Sequence, residues 1–337
     1  MDIRLHRDFS DLEHTQWDEL LSKSVTDVPF LRYGYLKRWW EFKGGGEWPQ
    51  DAHLCILSGW EGSELRGIAP LFSVKENGRG KAYLLGSIEI SDYLDLIARP
   101  DDAETFIRAV FDHLGSEHDA DIACMSLVNI PERSPTNALI ERIAPELGWT
   151  VKAENAYHTP VIPLAADWDA YLAGIDKKQR HEIRRKLRRA EESAEVKWYF
   201  AEDAATLDAE IEAFFDLMAV DEDKKRFLTD PMRGQMRAII HWAFDAGYLQ
   251  LSFLTIEGVK GAGYLCFDYN GHILVYNSGF DFRFSQYSPG WVLLGFLIQH
   301  AIENSKKYFD FMRGDEDYKY RFGGADGFVR RIELEKA

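Results

Sequence analysis

The hydrophobic pattern contains two matching runs of alternating apolar and polar positions, residues 53–74 and 249–269, which we predict to be β-hairpins. Each run contains a Glu-Gly turn, and a further glycine follows the turn glycine after five positions. The matching residues are Glu61, Gly62 and Gly67 in the first run, and Glu257, Gly258 and Gly263 in the second. A shared turn alone is weak evidence because such turns are common in hairpins, but the surrounding pattern also agrees.

Around both hairpins the pattern predicts the same order of elements: a helix, the hairpin, a strand, a helix and a strand. The first set comprises a helix at 30–42, a strand at 82–86, a helix at 103–114 and a strand at 121–127. The second set comprises a helix at 230–246, strands at 273–277 and 308–312, and a helix at 290–303 between them. We therefore predict an α/β protein with mixed α+β sheets, divided into two tandem domains, residues 1–160 and 161–337.

Composition and charge narrow the class of protein. The 337 residues carry a net charge of −16, which argues against a partner that is double-stranded nucleic acid or an anionic membrane. Three cysteines without a CxxC spacing are typical of a reducing compartment, and no spacing of metal ligands occurs. The polar N-terminus and the lack of a long apolar run predict a cytoplasmic protein without a membrane span or a metal.

One stretch, residues 176–193, is strongly basic in this acidic chain and is predicted to be a helix with a thin apolar stripe. Arg180 and Arg184 lie one turn apart on the same helix face. Two interpretations are open: a solvated helix face, or a binding site for phosphate groups of a substrate.

The segment 308–324 places several titratable side chains at the end of an apolar strand. An apolar strand opens directly into Arg313, Asp315 and Lys319, which is an arrangement typical of active sites at sheet edges. Asp310 lies within the apolar part of this strand, where a carboxylate is costly unless it is paired. Arg313 and Lys319 are its candidate partners.

Two further segments contain candidate binding groups. Gln286, Ser288 and Gly290 precede a predicted helix, whose first N–H groups suit a pyrophosphate or simply mark a helix cap. The polar pair Asn277 and Ser278 interrupts the preceding apolar strand, as expected of a ligand contact or an ordinary strand end.

In the first half, Asp92 and Asp95 lie in a short apolar and aromatic segment. These two acids either bind or deprotonate an acceptor amine, or they end a strand and cap the following turn.

Taken together, these motifs resemble the acyltransferases of the GNAT superfamily, and in particular the tandem-domain CelD-like and FemAB-like branch. The segments that carry the resemblance are WDELLSKSVTDVPFLRYGYLKRWWEF (17–42), ISDYLDLIA (90–98), KKQRHEIRRKLRR (177–189), SPGWVLL (288–294) and FDFMRGDEDYKYRFG (309–323). They occur in the order expected for that branch and extend over nearly the whole chain.

The resemblance implies two GNAT-like domains, the first structural or acceptor-binding and the second responsible for donor binding and catalysis. The pantetheine arm of an acyl-coenzyme A would lie between the strands at 273–279 and 308–312, and its pyrophosphate at the loop 286–290. This loop lacks the intermediate glycine usual in the superfamily. The donor-binding residues so implied are Asn277, Ser278, Gln286, Ser288, Gly290 and Arg313.

Catalytic and acceptor-binding roles follow from the same resemblance. The catalytic candidates are Asp310, Asp315, Tyr318 as proton donor, and Lys319 as the cation for a phosphate or an oxyanion. The alternatives are a core aromatic for Tyr318 and a helix-surface lysine for Lys319. The candidates for substrate binding are Asp92 and Asp95 for an acceptor amine, and Arg180 and Arg184 for phosphates of a donor or an acceptor.

Three functions are consistent with these expectations. The first is an N-acyltransferase that uses acyl-coenzyme A and a small-molecule amine or sugar-linked acceptor, such as an amino sugar or an envelope or exopolysaccharide precursor. The second is a transferase fed by aminoacyl-tRNA, a partner that the net charge disfavours. The third is a catalytically silent binding module in polysaccharide biosynthesis.

Overall fold

The computed structural model describes residues 1–115 and 122–336, and the chain divides into two compact units. Unit 1 comprises residues 1–158 together with the segment from Phe328 onwards, and unit 2 comprises Thr159–Gly327. Asp121, the first residue of one predicted strand, and Ala337 lie outside the described residues.

Unit 1 contains most of its elements before residue 159. In chain order they are β1 (Asp2–His6), α1 (His14–Leu21), α2 (Tyr33–Glu41), α3 (Lys43–Gly46), β2 (His53–Leu54), β3 (Ile56–Glu61), β4 (Glu64–Ala69), β5 (Leu71–Glu76), β6 (Arg79–Leu84), β7 (Ile97–Ala98), α4 (Ala103–Gly115), β8 (Ile122–Pro131), α5 (Pro135–Glu146) and β9 (Trp149–His158).

Unit 2 contains the elements that position the candidate site. They are β10 (Val161–Pro163), α6 (Trp168–Gly174), α7 (Lys177–Ser193), β11 (Val196–Phe200), α8 (Leu207–Met218), α9 (Glu222–Phe227), α10 (Asp230–Asp245), β12 (Leu249–Ile256), β13 (Val259–Tyr269), β14 (His272–Phe280), α11 (Pro289–Glu303), β15 (Tyr308–Asp310) and α12 (Asp317–Arg321).

The last strand, β16 (Phe328–Lys336), belongs to unit 1, whereas the sequence assigned it to the second domain. It pairs antiparallel with β8 on one side and with β9 on the other, within a six-stranded sheet of order β2-β5-β6-β8-β16-β9. The predicted boundary at 160/161 lies close to the observed crossing between His158 and Thr159. The chain therefore leaves unit 1 and later returns to complete its sheet.

The first predicted hairpin is one long strand pair that is interrupted at Cys55 and Pro70. The Cys55 N–H donates to the Leu71 carbonyl across this break, so the pairing continues from β3–β4 into β2–β5. Pro70 has no N–H with which to continue the ladder. As a result unit 1 contains a second, four-stranded sheet of order β1-β3-β4-β7.

The second predicted hairpin forms as β12 and β13. Its turn residues, Glu257 and Gly258, both adopt positive φ, at 50° and 75°, as the tight turns favoured in hairpins require. In the first hairpin the turn lies one position later than predicted, because β3 extends through Glu61 and β4 begins at Glu64.

Unit 2 is built on one six-stranded sheet of order β10-β15-β14-β13-β12-β11, with α8 against one face and α11 against the other. A Cβ at Gly279 would lie 2.5 Å from backbone atoms of Leu217 and Met218, so this glycine allows the end of α8 to lie directly on β14. Because side chains alternate along a strand, Ser278 and Phe280 face the opposite side, where α11 packs. Within the described residues, no helix combines the length and the apolar character needed to cross a lipid bilayer.

Candidate active site

The central strands of unit 2 separate at the position expected for a donor site. β14 and β15 pair in parallel only from His272 to Leu274 and from Tyr308 to Asp310. β15 ends there, whereas β14 continues for six more residues to Phe280. Beyond Leu274, the edge of β14 that faced β15 therefore has no neighbouring strand in the described sheet.

On this open edge, side chains form hydrogen bonds with the backbone N–H and carbonyl of Ser278. The Ser278 N–H donates to Asn277 Oδ1 at 2.8 Å, and the Ser278 carbonyl accepts a hydrogen bond from Lys224 Nζ. A strand edge whose polar groups are bonded to movable side chains can exchange them for the amides of an extended ligand.

A pocket of about 290 Å³ lies beside this edge, on the face covered by α11. Its lining is mostly aromatic and apolar, with hydroxyl groups, and the described residues that line it carry no charged side chain. They are Tyr264, Ser278 and Phe280 from the sheet, Ser285, Ser288, Pro289, Gly290, Trp291 and Leu294 from α11 and the preceding loop, and Tyr318 from α12.

The N-terminus of α11 presents hydrogen-bond donors to this pocket. Ser288 is in the left-handed region at φ 54°, and its side chain does not cap the helix. The N–H groups of Gly290 and Trp291 have no acceptor among the described residues, and the helix dipole adds positive potential there. This geometry suits the phosphate groups of a donor.

Two tyrosines form one wall of the pocket. Burial is the main cause that raises the pKa of both the Tyr318 and the Tyr264 hydroxyl well above the usual range, and Glu316 contributes at Tyr318. Both phenols therefore remain protonated near neutral pH. The Tyr318 hydroxyl can supply a proton to a leaving group.

Lys319 does not line the pocket. Its side chain is 3% exposed, and Nζ donates to the carbonyls of Arg313 and Gly314 at 2.6 and 3.2 Å. Glu316 Oε2 lies 2.9 Å from the same nitrogen. Because an ammonium group has three N–H donors, these partners engage all of them. The geometry gives Lys319 the role of holding the turn after β15, in place of the predicted phosphate or oxyanion contact.

The two predicted catalytic aspartates have opposite surroundings. Asp310 is 3% exposed, and its carboxylate accepts a hydrogen bond from the Met312 N–H at 2.7 Å. Asp315 follows the strand in an exposed position. Arg313, between them, is half-buried.

Arg180 and Arg184 hold α7 against α6. Arg180 reaches the carbonyls of Leu172 and Ala173 at 3.4 Å, and Arg184 donates to Asp169 at 3.2 Å. Neither side chain lines the pocket. Gln286 is exposed on the 3₁₀ turn before α11 and is likewise absent from the lining.

Another lysine of the basic helix, Lys186, reaches the beginning of α11. Its Nζ lies 4.0 Å from the centroid of the Trp291 ring, a cation–π contact, and 3.4 Å from Glu182. Sequence reasoning missed this residue. The available signal was its position three residues after Ile183, which places it beside the buried stripe of the helix.

Asp92 and Asp95 belong to unit 1. Asp95 is 1% exposed and accepts hydrogen bonds from Thr26 Oγ1 and Ser134 Oγ, both at 2.5 Å, and from the Leu96 N–H at 2.8 Å. Burial raises the pKa of its carboxyl despite these bonds. Asp95 is therefore a structural group of the unit 1 core rather than an accessible ligand for an amine. Asp92 is half-buried nearby in sequence.

Lys224 on α9 is a second residue that sequence reasoning missed. Burial lowers the pKa of its ammonium group, while Asp221 and Glu316 act in the opposite direction. It lies in a short run, EDKKRF, whose pattern gives no indication that one of two adjacent lysines is half-buried and bonds to β14. The pocket-lining Tyr264, Phe280 and Trp291 were also missed because the pattern classes them only as core positions.

Comparison with known proteins identifies a matching domain family and the overall fold. The sequence profile of the Acetyltransferase (GNAT) domain family matches residues 177–320, which lie within unit 2. No curated protein sequence matches the chain.

Several solved structures share the fold of both units. FemX has a TM-score of 0.67 at 12% identity, covering 98% of this chain and 97% of its own. A conserved protein of unknown function from Bacteroides thetaiotaomicron VPI-5482 has a TM-score of 0.64 at 12% identity, covering 99% and 100%. A tandem GNAT protein from the clavulanic acid biosynthesis pathway has a TM-score of 0.52 at 12% identity, covering 98% and 97%.

At these identities the structural matches establish the fold, and the profile match adds a similarity of residues 177–320 to the GNAT domain family. Both confirm the resemblance predicted from the motifs. Residues 177–320 thus match the acetyltransferase (GNAT) domain family, within a chain that has the tandem GNAT-like fold shared by FemX and other solved structures.

Proposed function

We propose that this protein is an N-acyltransferase that moves an acyl group from acyl-coenzyme A to an amine, with the donor bound in the unit 2 pocket. The observation that carries the proposal is the open edge of β14 at Ser278, which lies beside the unpartnered N–H groups at the start of α11. One end of this site suits amides, and the other suits phosphates.

The donor is expected to bind along these two features. Its extended amide-containing arm replaces the side chains of Asn277 and Lys224 as hydrogen-bond partners of Ser278. Its pyrophosphate accepts hydrogen bonds from the N–H groups of Gly290 and Trp291, and Lys186 adds positive charge close to that position.

The chemical step needs two proton transfers. The neutral amine attacks the thioester carbonyl, a C–N bond forms, and the C–S bond breaks. The protonated hydroxyl of the half-buried Tyr318 gives its proton to the departing thiolate. We assign the exposed carboxylate of Asp315 as the base that accepts the proton released by the amine. Asp310 is not chosen because it is buried and already accepts a hydrogen bond from the backbone.

The acceptor is proposed to be a small amine or a sugar-linked amine, on an amino sugar or an envelope or exopolysaccharide precursor. This class comes from the family resemblance. The chemistry of the pocket itself selects the donor rather than the acceptor.

A second candidate is transfer from aminoacyl-tRNA. It is supported by α7, which exposes Arg185, Arg188 and Arg189 on a chain whose net charge is −16. A phosphate backbone that binds this helix would lose affinity steeply as salt concentration rises.

The test is calorimetric titration with coenzyme A and with acyl-coenzyme A thioesters from acetyl to long chain. Saturable binding supports the proposal. Absence of binding across the series contradicts it and leaves salt-dependent tRNA binding, or a silent binding module, as the explanation to examine.

Substitution of Tyr318 tests the chemistry once an amine acceptor supports release of coenzyme A. We expect Tyr318→Phe to bind the donor normally and to lose roughly 10²- to 10⁴-fold in turnover. Tyr320→Phe is the matched control, because Tyr320 bonds to Asp326 and does not line the pocket. Equal turnover in Tyr318→Phe and the wild type would remove Tyr318 from the mechanism.

A further inference from the structure

Phe280, which lines the unit 2 pocket, and Phe282, which packs against Phe280, are unusually exposed. Phe280 is 42% exposed and Phe282 is 52% exposed. Their ring centroids lie 5.3 Å apart with an interplanar angle of 84°, in an edge-to-face arrangement. Leaving large apolar rings in water sacrifices the gain from burial, so paired exposed rings beside a pocket indicate a contact surface for a ligand.

These rings lie next to the anion-binding end of the pocket. A Cβ added at Gly290 would be 3.4 Å from Phe280 Cδ1, so the Phe280 ring abuts the first turn of α11. The guanidinium of Arg283, which bonds to Asp281, is 78% exposed immediately after Phe282 in the chain. Apolar faces, unpartnered N–H groups and an exposed cation therefore occur within a few residues of one another.

We propose that Phe280 and Phe282 bind the adenine ring of the donor, with Phe282 stacking on its face. A purine joined to phosphates matches this combination of flat apolar surface and anion donors, because every base has a face that stacks on aromatic side chains. An acyl chain would explain the exposed rings but would have no use for the neighbouring anion donors. The inference rests on the proposed function, since it names a part of the same donor.

The test compares two ligands that differ only beyond the pantetheine phosphate. Coenzyme A contains the adenine nucleotide, and 4′-phosphopantetheine lacks it. We expect Phe282→Ala to weaken the binding of coenzyme A by roughly ten-fold, the scale of one lost base–aromatic stack. Binding of 4′-phosphopantetheine should stay unchanged, and Phe282→Trp should restore the affinity for coenzyme A.

Two controls separate this effect from general damage. Val259→Ala removes another exposed apolar side chain of unit 2, 46% exposed and outside the pocket lining, and should change neither affinity. Circular dichroism should show the same fold for all variants.

Three results would overturn the assignment. They are an equal loss of affinity for both ligands in Phe282→Ala, no loss for either, or an affinity set by acyl length and independent of the adenine. Each of these occurs with coenzyme A bound, so the proposed function would survive. If the wild-type protein binds no coenzyme A, both the proposed function and this inference fail.

Discussion

Burial gives two lysines of unit 2 roles that their positions in the chain do not reveal. Lys319 directs its ammonium group into the turn after β15, where two carbonyls and Glu316 surround it. Lys224 directs its ammonium group to the open edge of β14, at the Ser278 carbonyl. The first is a fixed structural cation, whereas the second lies where a bound donor would change its surroundings.

We therefore expect Lys319 to contribute to the stability of the fold. We expect Lys319→Met to lower the free energy of unfolding by roughly 2–4 kcal/mol, because the carbonyls of Arg313 and Gly314 lose their donor at a site that is almost fully buried. Urea denaturation measures the change. Lys306→Met is the control, since its partly exposed pair with Asp268 is expected to contribute about 1 kcal/mol or less. Unchanged stability together with lost turnover would return Lys319 to the active site.

At the scale of elements, the site depends on how closely α8 approaches β14. Gly279 leaves space for the backbone at Leu217 and Met218, and the two residues on either side of it, Ser278 and Phe280, then face the pocket. One glycine thus sets both the packing of a helix and the position of the strand that lines the donor site.

Substitution of this glycine should be costly. A methyl group in Gly279→Ala would be 2.5 Å from backbone atoms, which cannot rotate away, so we expect a loss of about 1–3 kcal/mol or more in the free energy of unfolding. Gly174→Ala, at the end of α6, meets no atom within 4 Å and should be neutral or stabilising by up to about 1 kcal/mol. Equal thermal midpoints for the two variants would contradict this account of the packing.

Much of the element pattern, but little of the site, was predictable from the sequence. Periodicity located the helix that became α11 and the hairpin β12–β13 because these features depend on neighbouring residues. The predicted roles of Lys319 and Asp95 depended on whether their charges face a ligand or the protein interior. That outcome is decided by contacts between residues far apart in the chain, such as Asp95 with Thr26 and Ser134, which a hydrophobic pattern does not encode.

At the scale of the whole molecule, β16 is the element that the pattern did not place. An amphipathic strand pattern predicts a strand but not its partners. β16 pairs with β8 and β9, although all of unit 2 lies between them in the sequence. Because β16 lies between β8 and the edge strand β9, the large sheet of unit 1 is incomplete without it.

Removal of β16 should therefore affect the two units unequally. In a chain that ends after Gly327, we expect amide hydrogens of β8 and β9 to lose protection from exchange with solvent, while those of β13, β14 and α11 keep it. Ile332→Asp, which places a charge at a position that is 0% exposed, should have a similar effect in the full chain. Uniform loss of protection, or none, would show that the units do not fold as the sheet order indicates.

The return of the chain to unit 1 also has a consequence for protein synthesis. A ribosome produces β8 and β9 long before it produces β16, and all of unit 2 is made in between. The gap between β8 and β9 therefore stays open throughout that interval, with two unpaired strand edges available to other chains. Unit 2 can reach its native pairing first, so the unit whose synthesis begins first is completed last and needs the longer protection from aggregation.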